Sequence, residues 1–332
     1  MATIKDIAEI LGISTGTVSK GLTGADDISE DLRNKILDTA VSIGYVTKKM
    51  KNRKNWTVCI FIENMDYSAN QFGYEIILGF KQQAVKNGCS VEIVSVTHEM
   101  QSNEKYDTYM MRHGYKAGFF VGFNLSDPWL QGISSTTVPT VLLDNIEENN
   151  PFVAYIGTDS GQGLETAVRH LKELGHKNVA FLNGDKNSMI SKIRGFFFRK
   201  ACEKYEINYG ELIQYGDYTA ECAKLYVEDF ISNGATAIIC SSDIMAMGAI
   251  AECENLGLKV PEDISVIGFD DLPLSAHMTP PLTTIRQERI DLGKQGYFTL
   301  YSLINGVKIG QTLLRPEFVI RGSTAQAKIK GD

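Results

Sequence analysis

The 332-residue chain lacks long apolar runs and any recognisable export signal. No stretch reaches the roughly 18 apolar residues that a transmembrane helix needs. The N-terminus has no basic segment followed by an apolar one, as a secretory signal would. The six cysteines are scattered without a Cys-x-x-Cys pair, and most lie in apolar runs, which is typical of reduced thiols that pack as small hydrophobic groups. We therefore expect a cytoplasmic protein without a membrane partner.

Catalytic and metal-binding motifs are also missing. The sequence has no His-Glu-x-x-His zinc motif, no Walker A loop and no Gly-x-Ser-x-Gly elbow, and its five histidines show no metal-ligand spacing. Residues 157–163 hold only part of the Gly-x-Gly-x-x-Gly pattern of a dinucleotide site. We expect no enzyme activity, no metal and no cofactor; a sugar-modifying enzyme remains an alternative that no motif supports.

The charge is distributed unevenly. The chain as a whole carries −7, which by itself argues against a polyanionic partner. Residues 1–56, however, hold nine Lys and Arg against seven Asp and Glu, a balance of +2, whereas the remainder carries −9. Five of the seven positions from 48 to 54 are Lys or Arg. The basic charge is thus concentrated at one end of a chain long enough for two or three domains.

Hydrophobic periodicity divides the chain into two kinds of structure. Amphipathic helical patterns cover residues 4–11, 15–22 and 30–43, followed by a polar, basic linker at 47–56. From residue 58 onward, strand-like runs alternate with longer helical patterns, which indicates parallel βαβ units and an α/β fold with two doubly wound sheets. The runs are residues 58–62, 90–96, 117–121, 140–144, 179–183, 236–241, 265–270 and a last one near 318–320, with helical patterns at 74–87, 161–174, 190–205 and 243–256.

The first two helical patterns have the spacing of a helix-turn-helix. Ala8 lets two helices approach closely, Gly12 supplies the turn, and Ser14 is placed to cap the second helix. Lys20 can reach guanine acceptors in the major groove. A plain three-helix bundle with a solvated Lys20 is the alternative. The DNA-contacting residues predicted on this helix are Thr15, Gly16, Thr17, Ser19 and Lys20.

Several segments, in the same order, resemble the LacI/GalR family of transcriptional regulators. Residues 3–22, with Ile-Gly-Tyr at 43–45, are similar to that family's DNA-binding headpiece. Residues 174–182, 243–249, 258–271 and 280–287 resemble its core signatures. The resemblance implies a homodimer that binds double-stranded, near-palindromic operator DNA, with a periplasmic-binding-protein-like core that binds a small effector in its cleft. The absence of a leucine-heptad tail favours a dimer over a tetramer.

The same resemblance implies a division into domains. Residues 1–46 form the helix-turn-helix headpiece, 47–56 the basic hinge, and 57–332 the effector-binding core. Within the core, we expect an N-subdomain of about 57–157 and 286–320 and a C-subdomain of about 158–285.

The hinge departs from the family pattern. Tyr45 is not followed by the usual Pro and Asn, and the segment before Val58 is about one helical turn short. Met50 stands where family members carry a leucine that wedges into the minor groove, and an apolar methionine can serve as a wedge. Lys48 and Lys49 are predicted to contact phosphates. Two interpretations stay open: a short hinge helix with Met50 as wedge, or a flexible basic tether.

Acidic and aromatic side chains mark the expected effector site. Asp144 and Asp270 each end an apolar run, so both are predicted to project from the carboxyl end of a strand, where a carboxylate can accept hydrogen bonds from sugar hydroxyls. A strand-end Asp that caps the next turn is the alternative. Lys192 replaces the arginine of many relatives, and Arg194 follows it, so the effector need not be a neutral sugar. The predicted effector-contacting residues are Phe72, Tyr74, Asp144, Ser188, Lys192, Tyr218, Ser242 and Asp270, with a helix N-cap as the alternative role for both serines.

These patterns favour a DNA-binding repressor of carbohydrate-metabolism genes, controlled by a sugar or sugar derivative. The alternative is a ligand-binding signalling protein whose N-terminal module binds a partner other than DNA.

Overall fold

The computed structural model describes residues 2–47, 56–63 and 72–328, which form two compact units. The first unit takes the described residues of Met1–Met65, Ile77–Ile156 and Gly293–Thr312. The second takes those of Asp66–Ile76, Gly157–Leu292 and Leu313–Asp332. The chain therefore passes between the units several times.

The described N-terminal residues, 2–47, form a three-helix headpiece. Its helices are α1 (Ile4–Leu11), α2 (Thr15–Thr23) and α3 (Glu30–Ser42). Gly12 adopts the left-handed conformation that ends α1, with a φ of 64°, and the Ser14 side chain caps α2 by accepting a hydrogen bond from the Thr17 amide. Ile7, Val18 and Ile36 are completely buried between the helices. The predicted helix-turn-helix is confirmed.

Two six-stranded sheets follow, with the same spatial arrangement of strands. In each, the strands that pair in the centre are parallel. The first sheet runs β11 (Gln311–Leu314), β5 (Val153–Thr158), β4 (Thr140–Leu143), β3 (Ala117–Val121), β1 (Thr57–Ile62), β2 (Ser90–Ser95). The second runs β12 (Glu317–Val319), β10 (Thr283–Arg286), β9 (Ser265–Asp270), β8 (Ala237–Cys240), β6 (Val179–Asn183), β7 (Ile213–Tyr215).

Helices cover the sheets, so the central strands are buried on both faces, as parallel sheets require. All residues of β3, β6 and β9 are buried. In order, the core helices are α4 (Phe72–Lys86), α5 (His98–Asn103), α6 (Tyr106–His113), α7 (Pro128–Gln131), α8 (Ser160–Glu173), α9 (Met189–Tyr205), α10 (Val227–Ser232), α11 (Asp243–Asn255) and α12 (Arg289–Ile304). Short 3₁₀ turns occupy Ile133–Ser135, Glu221–Leu225 and Pro273–His277.

The predicted α/β class with two parallel sheets is confirmed. Each predicted strand and helix exists, with ends that differ by at most two residues. The sequence patterns did not predict β5, β7, β10, β11, α12 or the helices α5 to α7 and α10. The last predicted strand, β12, pairs antiparallel with β10 in the second sheet.

The cysteines agree with a packed core. All six cysteines are buried and free. Burial raises the pKa of the Cys202 and Cys253 thiols to about 12, which keeps them protonated and unreactive. No helix in the described ranges is long and apolar enough to cross a bilayer.

A close helix contact gives a test of this packing. In α11, a Cβ added at Gly248 would lie 2.0 Å from the backbone carbonyl oxygen of Ala220. Because backbone cannot yield cheaply, we expect Gly248→Ala to lower the free energy of unfolding by about 3 kcal/mol. The matched control is Gly310→Ala, which meets no atom within 4 Å and should change stability by less than about 0.5 kcal/mol. Urea unfolding of both variants measures the difference; equal stabilities would contradict the packing described.

Candidate DNA-reading helix and effector site

Helix α2 presents the predicted DNA-contacting residues on the outside of the headpiece. Thr15, Gly16, Ser19 and Lys20 are exposed, and Thr17 is half-buried. The Thr17 amide donates to the Ser14 hydroxyl over 3.0 Å, and the two hydroxyls lie 2.9 Å apart. We call α2 the reading helix, because its N-terminal half is the part that a helix-turn-helix directs into the major groove.

The opposite side of the reading helix is fixed by packing that the sequence patterns missed. A Cβ at Gly21 would lie 2.5 Å from Cδ1 of Ile36 in α3, so the glycine lets the two helices approach closely without moving the Ile36 side chain. Lys20 forms an exposed ion pair with Asp27. Such a pair is weak in water and leaves the ammonium available to DNA. Met50, Lys48 and Lys49 lie outside the described residues.

In the second unit, polar side chains converge where the central strands end. Asp270 is the last residue of β9 and is buried; its Oδ1 accepts a 2.7 Å hydrogen bond from Gln287 Nε2. Buried Arg289 donates to the Asp270 carbonyl and, over 2.6 Å, to Glu75 in the first turn of α4. Gln287 and Arg289 therefore hold Asp270 in position from both its side chain and its backbone.

A buried arginine lies beside Asp270. Arg194 Nη1 donates to the Ser241 carbonyl over 2.6 Å, and its guanidinium carbon lies 3.8 Å from the centre of the Phe269 ring. Its Nε has no hydrogen-bond partner among the described residues. The Ser241 hydroxyl donates to Asn183 Oδ1 over 2.8 Å. Asn183, Arg194, Ser241, Asp270 and Gln287 form what we call the Asp270 cluster.

Tyr218 borders the same region through α9. Its hydroxyl lies 2.9 Å from that of Ser191, whose carbonyl accepts a 2.8 Å hydrogen bond from Asn183 of the Asp270 cluster. A Cβ at Gly184 would lie 2.0 Å from the Tyr218 ring, so the ring rests directly on the backbone that follows β6. Tyr218 is thus tied to the cluster through two hydrogen bonds.

The other predicted effector residues have varied positions. Asp144 follows β4 in the first unit and is half-buried. In the second unit, Phe72 is half-buried at the start of α4 and Tyr74 is exposed. The remaining three lie at or near helix N-termini: Ser242 caps α11 through the Met245 amide over 3.1 Å, Ser188 stands at the N-cap of α9 without a side-chain cap bond, and Lys192 is exposed on α9.

Backbone strain collects at these positions. Among the described residues, the non-glycine positions with positive φ are Asp144, Glu206, Tyr218, Asp270 and Asp271, and the φ of Asp270 is 118°. Residues other than glycine rarely adopt a positive φ. Such backbone strain persists where the surrounding structure enforces it, often at ligand sites. Three of the five positions are predicted effector-contacting residues.

The pKa values of two carboxyls, Asp270 and the neighbouring Asp243, are raised above the value of a free carboxyl. Burial raises the pKa of Asp270, and the nearby Asp243 carboxylate raises it further, against the opposing charge of Arg194. Burial also raises the pKa of Asp243, whose oxygens accept hydrogen bonds from Ser275 and Thr284. Asp270 is therefore costly to ionise in the free protein, and a bound hydrogen-bond donor would offset that cost.

Sequence reasoning missed most of this cluster. Asn183 ends a predicted strand, and Gln287 lies in a segment that resembles a family core signature, but neither is among the predicted effector-contacting residues. Arg194 enters the sequence prediction only as a neighbour of Lys192. The available signal was position: each polar residue follows a buried parallel strand or faces its end, where ligands of such sheets bind.

The chain combines a helix-turn-helix, whose reading helix is exposed, with two parallel α/β sheets and a polar cluster at the end of the strands. This combination defines a DNA-binding transcriptional regulator with a periplasmic-binding-protein-like core. A model of bacterial regulatory proteins of the lacI family matches residues 3–48, and one of a periplasmic binding protein-like domain matches residues 168–324. The N-terminal residues thus form a lacI-family DNA-binding domain, and the core contains a periplasmic binding protein-like domain. The resemblance noted in the sequence is confirmed.

Individual relatives match nearly the whole chain. The HTH-type transcriptional repressor CytR of Escherichia coli (strain K12) is 29% identical over 333 residues, which cover 97% of this chain and 96% of the relative. The HTH-type transcriptional repressor PurR of Aliivibrio fischeri (strain MJ11) is 29% identical over 97% of this chain and 98% of its own.

Solved structures have the same fold. The lac repressor dimer bound to operator and the anti-inducer ONPF has a TM-score of 0.72 and 25% identity, over 98% of this chain and 99% of that one. The complex of the transcriptional regulator CelR with cellobiose has a TM-score of 0.73 and 24% identity, over 97% of this chain and 100% of that one.

The buried charge predicts a pH-dependent stability. A carboxyl with a raised folded-state pKa destabilises the fold as the pH rises through that pKa, and does nothing below the unfolded value. We expect Asp270→Asn, which keeps an oxygen for Gln287, to raise the free energy of unfolding of the ligand-free protein by about 1–2 kcal/mol at pH 8 and not at pH 4.

Asp217→Asn is the matched control. Hydrogen bonds from Thr219 lower the pKa of Asp217, so its replacement should give no gain at pH 8. Urea unfolding at both pH values measures the effect. If the difference in stability between Asp270→Asn and wild type were the same at pH 4 and pH 8, the buried-charge argument would be contradicted.

Proposed function

We propose that this protein is a cytoplasmic repressor of carbohydrate-metabolism genes, which binds near-palindromic operator DNA as a homodimer and responds to a sugar or sugar derivative. The observation that carries the effector proposal is the Asp270 cluster. It combines a buried carboxyl, a buried guanidinium with an open Nε, and a strained backbone at the carboxyl edge of a parallel sheet. The lac repressor, solved as a dimer on its operator with an anti-inducer, supports the proposal as a relative.

The chemistry of the cluster suits a polyhydroxylated ligand. The Asp270 carboxylate can accept bonds from adjacent hydroxyls, while Arg194 Nε and the Asn183 amide can supply donors. Tyr218 and Phe72 offer rings for the apolar face of a sugar. We also assign Tyr74, Ser188, Lys192 and Ser242 of the second unit to the surroundings of the effector, with Ser242 contributing chiefly as the cap of α11. Asp144 of the first unit stays a predicted effector contact.

The DNA contacts are assigned to the reading helix and the hinge. Thr15, Gly16, Thr17, Ser19 and Lys20 are proposed to meet bases and phosphates, with Lys20 as the main determinant of sequence. Lys48, Lys49 and Met50 stay predicted contacts of the hinge. The domain division at 46, 56, 157 and 285 likewise stays part of the proposal. Effector binding would favour one arrangement of the two headpieces over the other and so change operator affinity.

The DNA proposal is tested by selecting bound sequences from a random duplex pool with the full-length protein at 150 mM salt. We expect a near-palindromic site. Lys20→Ala should weaken binding to that site by about 10-fold and relax the preference at one base position per half-site, since a good base contact contributes about 1–3 kcal/mol of discrimination. Lys172→Ala, an exposed lysine of α8, is the control with no expected effect. Recovery of random sequences by the wild-type protein would reject the proposal.

The effector proposal is tested by thermal shift. A panel of mono- and disaccharides, sugar phosphates and nucleosides should contain a compound that raises the melting temperature, because a ligand of the folded state stabilises it by mass action. At 100 times its Kd, the expected stabilisation is about 2.7 kcal/mol. Asp270→Asn should abolish the shift and Asp217→Asn should retain it. A shift that survives Asp270→Asn would place the effector elsewhere.

A further inference from the structure

Helix α3 of the headpiece lies against helix α6, which belongs to the same compact unit as the first sheet. The contacting residues are 70 to 82 positions apart in sequence. We call this contact the headpiece dock, formed by Glu30, Asn34 and Asp38 of α3 with Thr108, Met111 and Arg112 of α6.

The polar part of the dock is centred on one guanidinium. Arg112 donates hydrogen bonds from Nη1 to Glu30 and from Nη2 to Asn34. Its Nε donates over 2.9 Å to Glu104, which lies two residues before the start of α6. One turn away on α6, the Thr108 hydroxyl donates to Asp38 over 2.5 Å. All three guanidinium nitrogens of Arg112 thus have acceptors, two on α3 and one next to α6. The contact therefore fixes the orientation of α3 relative to α6 as well as their proximity.

The dock also has an apolar part. Met111 of α6 is 8% exposed and packs into the headpiece core with Ile7, Val18 and Leu37. Thr108 is 2% exposed. Because Met111 of α6 is part of the headpiece core, separating the two helices would expose apolar surface.

The reading helix is left open by the dock. Thr15, Gly16, Ser19 and Lys20 are exposed while α3 is in contact with α6. The dock therefore covers the side of the headpiece away from its DNA-contacting residues and does not block them. An autoinhibitory contact would have the opposite geometry.

We infer that the headpiece dock holds the reading helix in a fixed orientation before DNA binding and connects headpiece and core by a route other than the hinge. A headpiece held only by its linker must lose rotational freedom when it binds an operator, and a docked one has already lost it. Operator affinity and its response to effector then depend on α3 and α6. The DNA part of this inference rests on the proposed function, whereas the dock itself can be tested without DNA or effector.

The dock is tested by a disulfide between its two helices. Asp38→Cys with Thr108→Cys places two thiols at a pair of side chains in contact. Mild oxidation of the full-length protein should give an intrachain crosslink, seen as a disulfide-linked peptide pair by mass spectrometry; the six native cysteines are buried.

The control is Asp31→Cys with Thr108→Cys. Asp31 is exposed and lies seven residues from Asp38, about 10 Å along the helix, beyond the reach of a disulfide. Absence of the 38–108 crosslink, or equal yields for both pairs, would overturn the dock. This result stands whether or not the protein selects an operator.

The role of the dock in DNA binding is tested on the site selected by the wild-type protein. Arg112→Gln should weaken operator binding by about 3- to 30-fold and leave the effector-induced thermal shift unchanged. Arg169→Gln, whose ion pair with Glu173 is on the surface of α8, should bind as wild type. Because Glu30→Gln removes the main partner of Arg112, Arg112→Gln should cost less in that background.

The crosslinked Asp38→Cys, Thr108→Cys protein should bind the operator at least as tightly as its reduced form. Loss of binding on crosslinking would show that the docked state opposes DNA and would overturn the inference. So would an Arg112→Gln variant with wild-type affinity. Failure of the wild-type protein to select any site would reject the proposed function, and the crosslink would still decide the dock.

Discussion

The buried carboxyl of Asp270 is the constraint around which the second unit is organised. Burial makes its charge unfavourable, and the neighbouring side chains limit that cost only in part. Gln287 bonds one oxygen, Arg289 bonds the backbone, and Arg194 lies near with one nitrogen unsatisfied. Each group could have been replaced by an apolar one of similar volume at little loss of stability. Their presence together supports the proposed effector site, in which a ligand would complete the hydrogen bonds.

The parallel sheets determine where this cluster can lie. Parallel strands are buried on both faces, so their side chains serve the core until the strand ends. In the second sheet, β6, β8 and β9 all end at one edge, and Asn183, Ser241 and Asp270 stand at or just beyond those ends. The three polar side chains that these strands give to the cluster therefore come from the strand ends. The strained backbone at Asp270 is the local consequence of turning a chain there while keeping its carboxyl inside.

Periodicity and strand-end logic predicted the helix-turn-helix, eight strands, six of them central, and the position of Asp270 at the end of a strand. They failed where tertiary contacts decide. Helix α12 contains Gly293 and Gly296, which weaken its helical pattern, but Gly296 permits close packing against Phe119 and Ile156. Lys192 stays a predicted effector contact, but Arg194 lies two positions further on the same helix, so the two side chains point about 200° away from each other. Lys192 is exposed and Arg194 is buried, and only the position of α9 against its sheet determines which one faces inward.

Charge placement explains how an acidic protein can present a DNA-binding surface. The headpiece is not uniformly basic: α3 carries Glu30, Asp31 and Asp38. Two of these carboxylates point to α6, where Arg112 and Thr108 engage them. A carboxylate that faces the core stays farther from phosphate than one on the reading side. The dock thus separates the signs of charge within a small domain, and the net charge of −7 has little bearing on the surface that meets DNA, because screening limits electrostatic effects to about 8 Å at physiological salt.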